Sequence, residues 1–346
     1  MNQHARIGIG LLLLLALGAA DLRAQSRVGT TAATFLTLGT GARGQSLGHA
    51  YTTLARGGDA LFWNPAGAAI PYEGHRAAVF LTHHTWLADI DYNAAGVVIP
   101  AIGSGVLGLS LAVVDYGDME VRTVALPEGT GETFSATDFS LGLTYAQPLT
   151  PSFFFGGTAK YVRQQIRDMA ATAIAFDFGF ILQTPYLQSA QISASIMNFG
   201  SKLRMEGING QVFVDVDDNV SGNNPNIPAR LEMDDWDLPL SFKFGVALPL
   251  FEAGGLRFLA LADANQSNDN NLNGDFGGML HYGNRTLNLK LRAGYKDLFL
   301  DNVDSHATFG AGLDIRVTGV RFGFDYAYIP YDFLGDTQMV DFRLYF

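Results

Sequence analysis

Large apolar residues occupy every second position through most of the chain after residue 76. Between residues 287 and 295, Leu, Ala and Tyr alternate with Asn, Lys, Arg and Gly, and residues 309–317, 322–328 and 340–346 follow the same rule. Successive side chains of a β-strand point to opposite faces, so each segment has one apolar face and one polar or very small face. The chain is therefore predicted to be all-β.

The chain after residue 24 contains no uninterrupted apolar stretch long enough for a membrane-spanning helix. It has 40 Gly, 25 Phe and 13 Tyr, while only 16% of its residues are charged. Two kinds of fold suit this composition. One is a large secreted β-sandwich or β-helix, and the other is a membrane barrel with apolar residues at alternate positions. Alternation alone does not separate them.

The number of strands and their connections favour the barrel. About fourteen strands are expected, which is an even number. Their predicted ranges are 76–84, 89–100, 104–115, 134–147, 152–167, 171–184, 189–199, 238–250, 255–265, 274–283, 286–296, 305–317, 319–329 and 336–346. The links after even-numbered strands are short, whereas those after odd-numbered strands include 116–133, 200–237 and 266–273.

Outer-membrane barrels show this asymmetry, because their short turns face the periplasm and their long loops face outward. The last residue, Phe346, ends an alternating strand, as the C-terminal aromatic of such barrels does. A closed barrel also leaves no unpaired backbone group in hydrocarbon. We therefore predict a transmembrane antiparallel β-barrel in the bacterial outer membrane, surrounded by its lipid.

The first residues resemble a secretion signal. Arg6 precedes an apolar run from Ile7 to Ala20 that is too short to span a membrane, and Ala24 offers a small residue before a cleavage site. Cleavage after Ala24 is preferred, and cleavage after Ala20 is the alternative. Residues 1–24 are thus predicted to be a signal peptide.

Little in the chain points to catalysis, a cofactor or a metal. There is no cysteine, no Gly-x-Ser-x-Gly, Walker or His-Glu-x-x-His motif, and the seven His are scattered. The net charge of −11 argues against nucleic acid as a partner. We expect a protein that is not an enzyme. The acidic loop around residues 215–219 has oxygen ligands that suit calcium but lacks EF-hand spacing, so a solvated acidic surface is the preferred reading.

Residues 25–75 differ from the rest because small residues dominate them. Two stretches stand out, from Gly41 to Tyr51 and from Asp59 to Gly67. The second ends in Asn64-Pro65-Ala66-Gly67, which marks a turn because proline fixes φ and biases the preceding residue away from helix.

These stretches resemble the N-terminal signature of the PorV/PorQ family of outer-membrane proteins, as do residues 115–136. The signature residues are Gly41, Ala42, Arg43, Gly48, Asp59, Trp63, Asn64, Pro65 and Gly67. Gln45, Ser46 and His49 depart from it. That family is similar in turn to the FadL fatty-acid transporters, which have fourteen strands and an N-terminal hatch. The resemblance implies that residues 25–75 form a plug in the lumen of a barrel made by residues 76–346.

A plug in the lumen implies that inward-facing charges of the strands contact it. The candidates are Lys243, Lys290, Arg292, Asp314, Arg316, Asp325 and Arg343. We expect Arg43, Arg56 and Asp59 of the plug to pair with some of them. The alternative is that these charges simply face water in the lumen.

The resemblance implies a component of type IX protein secretion that binds exported cargo or a translocon through loops 116–133 and 200–237. Met205, Phe213 and Trp236 are the candidate partner residues in the second loop, although Trp236 also suits an interfacial anchor. The alternative is a FadL-like transporter that binds a hydrophobic small molecule. A purely structural barrel is a third possibility.

Overall fold

The protein is described here by a computed structural model that covers residues 29–101, 103–186, 189–215, 226–300 and 303–346. The predicted signal peptide and most of the acidic loop at 215–219 lie outside the described residues.

Among the described residues, fourteen long strands form one antiparallel barrel. They are β1 Ala78–Thr85, β2 Asp91–Pro100, β3 Val106–Glu120, β4 Thr133–Thr150, β5 Phe153–Ile166, β6 Met169–Gln183, β7 Gln191–Gly200, β8 Ser241–Ala253, β9 Leu256–Ser267, β10 Asn273–Gly283, β11 Leu287–Leu298, β12 Ala307–Val317, β13 Val320–Ile329 and β14 Thr337–Tyr345. Each strand pairs with its neighbours in sequence. The barrel closes where β14 pairs with β1, from Ala78 opposite Tyr345 to Thr85 opposite Gln338.

The predicted fold class, an antiparallel barrel of about fourteen strands with a plug, is confirmed. The differences lie at strand ends and in the longest loop. Three short strands, Glu206–Gly207, Gln211–Val214 and Ile227–Arg230, occupy the region predicted to be loop 200–237. The first extends the sheet beside β6, and the other two pair with each other. Their sequences are too short and too polar to show an alternating pattern.

The outward faces of the strands carry exposed apolar side chains. On β3, Leu107, Leu109 and Leu111 are 41%, 51% and 40% exposed, and on β11 Leu289 and Leu291 are 46% and 60% exposed. A soluble monomer rarely exposes a continuous apolar surface of this kind. The barrel is therefore built to contact lipid. No helix among the described residues is both long and apolar enough to cross a membrane.

The two rims of the barrel differ. At one rim the turns are tight, as at Gly254 and Gly255 between β8 and β9, whose φ angles of 60° and 84° suit glycine. We call it the short-turn rim. The opposite rim, the long-loop rim, carries the loop between β3 and β4 and the segment 201–240 between β7 and β8.

The chain before β1 runs through the lumen from one rim to the other. At the long-loop rim, the Thr31 hydroxyl donates to Asp269 (3.0 Å) and the Ala32 N–H donates to the Asp237 carbonyl (2.9 Å). At the short-turn rim, Ala77 and Phe346 exchange backbone hydrogen bonds of 3.1 and 3.0 Å. Between them lie helices α1 Ala42–Ser46 and α2 Ala60–Trp63, and the 3-10 helices Thr34–Thr37 and Pro65–Ala69.

Candidate functional site: the plug and the lumen wall

The inward faces of β11 to β14 form what we call the charged wall. Its buried charged residues are Lys290, Arg292, Lys296, Asp314, Arg321, Asp325, Asp341 and Arg343. They alternate with the outward apolar residues, so the same period of two that supplies the lipid-facing surface also supplies this interior surface.

Arg43 of α1 is the main contact of the plug with the charged wall. Its Nε donates to Asp325 (3.1 Å), its Nη2 to Asp314 (3.3 Å) and its Nη1 to the Tyr345 hydroxyl (3.1 Å). Burial alone would lower the pKa of Arg43, but the neighbouring groups, led by Asp325, outweigh burial and raise it well above its usual value. Arg43 is therefore a fixed positive charge in the lumen.

Asp325 joins three guanidinium groups. Besides Arg43, Arg292 lies 2.5 Å from one carboxylate oxygen, and Arg343 contacts the other. Arg343 also contacts Asp341 (2.5 Å) and Asp59 of the plug (3.5 Å). Arg43, Arg292 and Arg343 are thus matched by Asp325, Asp341 and Asp59, and this pairing offsets the cost of burying their charges.

A second set of contacts lies nearer the short-turn rim. The Tyr72 hydroxyl donates to Asp314 (2.5 Å) and accepts from the Lys290 ammonium (2.6 Å), and Lys290 also pairs with Asp314. Glu73 pairs with Arg321 and accepts from the Asn288 amide (3.0 Å).

Three of the predicted charged residues, Arg56, Lys243 and Arg316, do not form an ion pair between plug and wall within the described residues. Arg56 donates to the Thr53 and Ala55 carbonyls (2.9 and 2.7 Å) and to the Gln191 side chain (2.5 Å), so its expected pairing with a lumen charge is not found within the described residues. Lys243 places its ammonium 5.0 Å from the centre of the Trp63 ring.

Arg316 lies exposed near the end of β12 at the short-turn rim, and it makes no ion pair with a described residue. Its inward position in the alternation is correct, but it sits below the plug. The sequence prediction placed it wrongly because alternation gives the face of a residue and not its depth in the lumen.

The inward faces of β2 to β6 differ from the charged wall, and we call them the small-residue wall. Here the plug presents the turn at Asn64-Pro65-Ala66-Gly67. The Asn64 side chain accepts from the Ala66 N–H (3.1 Å) and donates to the Phe180 carbonyl (3.2 Å). A Cβ on Gly179 would collide with the Asn64 side chain, and one on Gly156 would lie 2.6 Å from the Ala66 nitrogen.

Other signature residues hold the plug's own shape. The Trp63 indole donates to the Thr40 carbonyl (2.6 Å), and its ring lies edge-on to Tyr51 and His49. Gly48 has a φ of 61°, and a Cβ there would lie 2.5 Å from the backbone nitrogen of Tyr295. Only glycine fits both conditions.

On the long-loop-rim side of α1, residues of the small-residue wall, of the chain before α1 and of the segment between β7 and β8 pack into a buried apolar cluster, which we call the upper chamber. Phe35 belongs to it and is 3% exposed. Its buried wall and cover residues are Ala33, Tyr92, Ala94, Ala112, Val114, Val162, Ala171, Ala173, Ala175, Leu203 and Leu238. Leu203 and Leu238 come from the long segment between β7 and β8, so the loop closes the chamber from above. No sequence pattern predicted Phe35, because residues 29–40 show neither period.

The three candidate partner residues do not form one surface. Met205 is half-buried and packs against the upper chamber. Phe213 lies on the two-stranded hairpin and is 70% exposed, and Trp236 is 46% exposed. Backbone hydrogen bonds of 2.8 Å in both directions hold Trp236 beside Leu203.

Within the described part of the chain, no group of three or more His, Asp or Glu side chains could hold a metal ion. His83 and His84 point to opposite faces of β1, as adjacent residues of a strand must.

Comparisons with known proteins show which solved structures this fold resembles. No family model matches the chain, and no curated protein matches it either. Among solved structures, the Pseudomonas putida toluene transporter TodX is 13% identical, with a TM-score of 0.55 over 89% of this chain and 96% of that one. The chain has the fold of FadL-type transporters.

Two further structures agree. A Pseudomonas aeruginosa FadL homologue is 12% identical, with a TM-score of 0.53 over 88% of this chain and 97% of that one. The Ralstonia pickettii toluene transporter TbuX is 12% identical, with a TM-score of 0.54 over 89% and 97%. These likenesses support the FadL part of the predicted resemblance, while nothing in the comparisons supports its PorV/PorQ part.

Proposed function

We propose that the chain is an outer-membrane channel for hydrophobic small molecules. The observation that carries this proposal is the upper chamber, an apolar cluster inside the lumen just below the long-loop rim. Ligand sites for small molecules are mostly apolar and concave. The fold agrees with this function, since two of the similar structures are described as toluene transporters.

The side chains of the chamber suit a solute of the size of a small aromatic. Four of its wall residues are alanines on β3 and β6, namely Ala112, Ala171, Ala173 and Ala175, so the wall itself takes little space. Phe35 supplies the aromatic ring that now fills it. A hydrophobic solute that enters past Leu203 would find similar surroundings to those of the Phe35 ring.

The test is uptake of labelled toluene by cells that produce the protein in an outer membrane without another such channel. Ala173→Trp adds a second large ring to the chamber that Phe35 already fills, so it leaves no room for a solute, and we expect it to lower uptake about tenfold, the effect of roughly 1.4 kcal/mol. Ala293→Trp makes the same change on the outward face of β11, where Ala293 is exposed. Equal uptake by both variants and the unchanged protein would refute the proposal.

Export and domain organisation belong to the same proposal. Residues 1–24 would be removed as a signal peptide, residues 25–75 would act as the plug, and residues 76–346 would form the barrel. N-terminal sequencing of protein from the outer-membrane fraction should begin at Gln25. A first residue of Asp21 would select the alternative cleavage site, and an uncleaved protein would refute the signal peptide.

Binding of a secretion partner is the second candidate, and exposed Phe213 and Trp236 favour it. Affinity purification from solubilised outer membrane would recover a translocon barrel or cargo if this function is correct. Phe213→Ser with Trp236→Ser should then abolish recovery. Recovery of the barrel alone would leave the channel proposal in place.

A further inference from the structure

The short-turn rim is basic, although the chain as a whole has a net charge of −11. The rim consists of the described residues in the ranges 71–77, 101–105, 150–152, 184–190, 252–257, 283–287 and 316–321. Its arginines are Arg76, Arg257, Arg285, Arg316 and Arg321, whereas its acidic residues are Glu73 and Glu252. Because the short turns of outer-membrane barrels face the periplasm, this rim presents positive charge to the periplasm.

Three of these arginines lie on neighbouring turns. Arg316 at the end of β12 is directly opposite Arg321 at the start of β13, so the two share the inward face although like charges repel. Arg285 lies in the adjacent turn between β10 and β11, and its carbonyl accepts from Arg321 Nη2 at 3.2 Å. We call Arg285, Arg316 and Arg321 the arginine strip.

The arginine strip has more positive charge than its partners neutralise. The side chains of Arg285 and Arg316 are exposed, and neither makes an ion pair with a described residue. Arg321 is fully buried, and its Nε and Nη1 have no hydrogen-bond partner among the described residues. Buried donors without acceptors are costly. The strip is therefore suited to receive a further anionic group.

Glu73 of the plug shows which chemical group the strip accepts. Its carboxylate pairs with Arg321 and also accepts from the Asn288 amide at 3.0 Å. Glu73 lies on a tight turn in which Tyr72 and His75 exchange backbone hydrogen bonds of 3.0 Å. The Glu73 side chain is 37% exposed at the rim. A carboxylate that arrives from the periplasm can therefore compete with Glu73 for Arg321.

The length of the strip favours an extended ligand with several carboxylates. Adjacent strands lie about 4.8 Å apart, so three neighbouring positions extend over about 10 Å. An extended peptide places alternate side chains on one side about 7 Å apart. Acidic residues at alternate positions of one segment would thus meet successive arginines, and each such ion pair is strengthened by charge-assisted hydrogen bonds.

We propose that the arginine strip is the docking site for an acidic segment of a periplasmic protein. One carboxylate of the segment takes the place of Glu73 on Arg321, and others pair with Arg285 and Arg316. Docking therefore breaks the contact of the plug with Arg321 and Asn288. The strip lies at the opposite rim from the upper chamber, so the proposal does not depend on the channel function.

The test is fluorescence anisotropy of labelled hexaglutamate with the purified full chain in an uncharged detergent. We expect saturable binding that added salt weakens, because exposed charges are screened. Arg316→Ala should lower the affinity about tenfold. Arg257→Ala is the matched control, since it removes an exposed arginine of the same rim that already pairs with Glu252. Its affinity for the peptide should equal that of the unchanged protein.

Glu73→Gln tests the competition with the plug. The change keeps the size of the side chain and removes its charge, so the affinity for hexaglutamate should rise about tenfold. An unchanged or lower affinity in this variant would exclude the replacement of Glu73. The heat-dependent mobility shift of folded barrels on gels shows that each variant is folded before it is measured.

Three other results would overturn the proposal. Absence of saturable binding to the unchanged protein would exclude a docking site at this rim. An equal loss of affinity in Arg316→Ala and Arg257→Ala would mean that the peptide responds only to the total charge of the rim. Displacement of the peptide by an equal concentration of inorganic phosphate would assign the strip to small anions instead of a protein segment.

Discussion

The plug meets two walls of the same barrel by different chemistry. On the charged wall, Arg43 and Asp59 reach across to Asp314, Asp325 and Arg343 through buried ion pairs. On the small-residue wall, the turn at Asn64 to Gly67 lies directly against strand glycines. Buried charges on that wall find their partners among its own strands: Lys160 pairs with Asp177 at 2.8 Å, and Asp138 accepts hydrogen bonds from the side chains of Tyr116 and Gln164.

The difference shows how one lumen can hold a plug and still offer an apolar route. Ion pairs fix the plug's position on one side, where the buried apolar cluster is small and consists of Ala327, Ile329 and Met339 packed against Ala42 of α1. The other side needs only small residues for close packing, and the same alanine-rich faces continue upward into the upper chamber. The following four predictions test this division, beginning with the largest expected effect.

Asp325→Ala should be the most damaging change, because it leaves Arg43, Arg292 and Arg343 without a shared buried partner. Removing one member of a buried ion-pair network costs about 3–5 kcal/mol. Denaturant unfolding in lipid vesicles measures the loss. Glu252→Gln is the control, since Glu252 pairs with Arg257 in an exposed position, and exposed pairs contribute about 0–1 kcal/mol. Similar losses in both variants would contradict the role of the charged wall.

Tyr72→Phe should cost about 1.5–3 kcal/mol, the range for hydrogen bonds to charged groups. The change keeps the ring, which stacks on Tyr345 at 4.4 Å, and removes the hydroxyl between Lys290 and Asp314. The same unfolding assay applies. Unchanged stability would mean that the second set of contacts adds nothing to the plug's attachment.

Gly156→Val on the small-residue wall should cost about 1–3 kcal/mol through overpacking. Its side chain would collide with the backbone of Pro65 and Ala66, so the plug must shift. Single-channel recording in planar bilayers should show a higher conductance. Gly157→Val is the matched control, because a Cβ at the next, outward-facing position meets nothing closer than 3.6 Å. Equal conductance in the two variants would refute close packing of the turn.

Arg316→Ala should have the smallest effect, within about 0.5 kcal/mol, as is usual for exposed positions. Arg316 belongs to the same strand as Asp314 and faces the same way along the alternation, but it lies exposed at the short-turn rim. A loss comparable with that of Tyr72→Phe would place Arg316 in the charged network after all.

Much of the fold could be predicted from the sequence because a strand repeats every two residues. That period gave both faces of β11, where Leu289 and Leu291 face outward and Lys290 and Arg292 face inward. The same period also places Arg321 and Asp341 on the inward face, because both alternate with apolar residues. It does not identify them as contacts of the plug. The partners of each charge depend on register and depth, which a period does not contain.

The parts that could not be predicted lie where local pattern is weakest. Arg56 was expected to find a charge, but backbone carbonyls three and one residues before it are closer. The burial of Phe35 in the upper chamber could not be predicted, because the strand residues that pack around it lie far along the chain. Asp263 accepts a hydrogen bond from the Thr52 N–H of the plug at 3.0 Å. Nothing in the sequence marks it as a contact of the plug except its inward position in the alternation.

Equilibrium binding of toluene to the purified protein tests the central claim most directly, with one Trp on the small-residue wall and one on the outward face of a charged-wall strand. Ala173→Trp adds a large ring to the upper chamber on the small-residue wall, while Ala293→Trp makes the same change on the outward face of β11, where Ala293 is exposed. The account predicts that the first loses binding by about tenfold or more and that the second binds as the unchanged protein does. Normal binding in Ala173→Trp, or an equal loss in both variants, would contradict it.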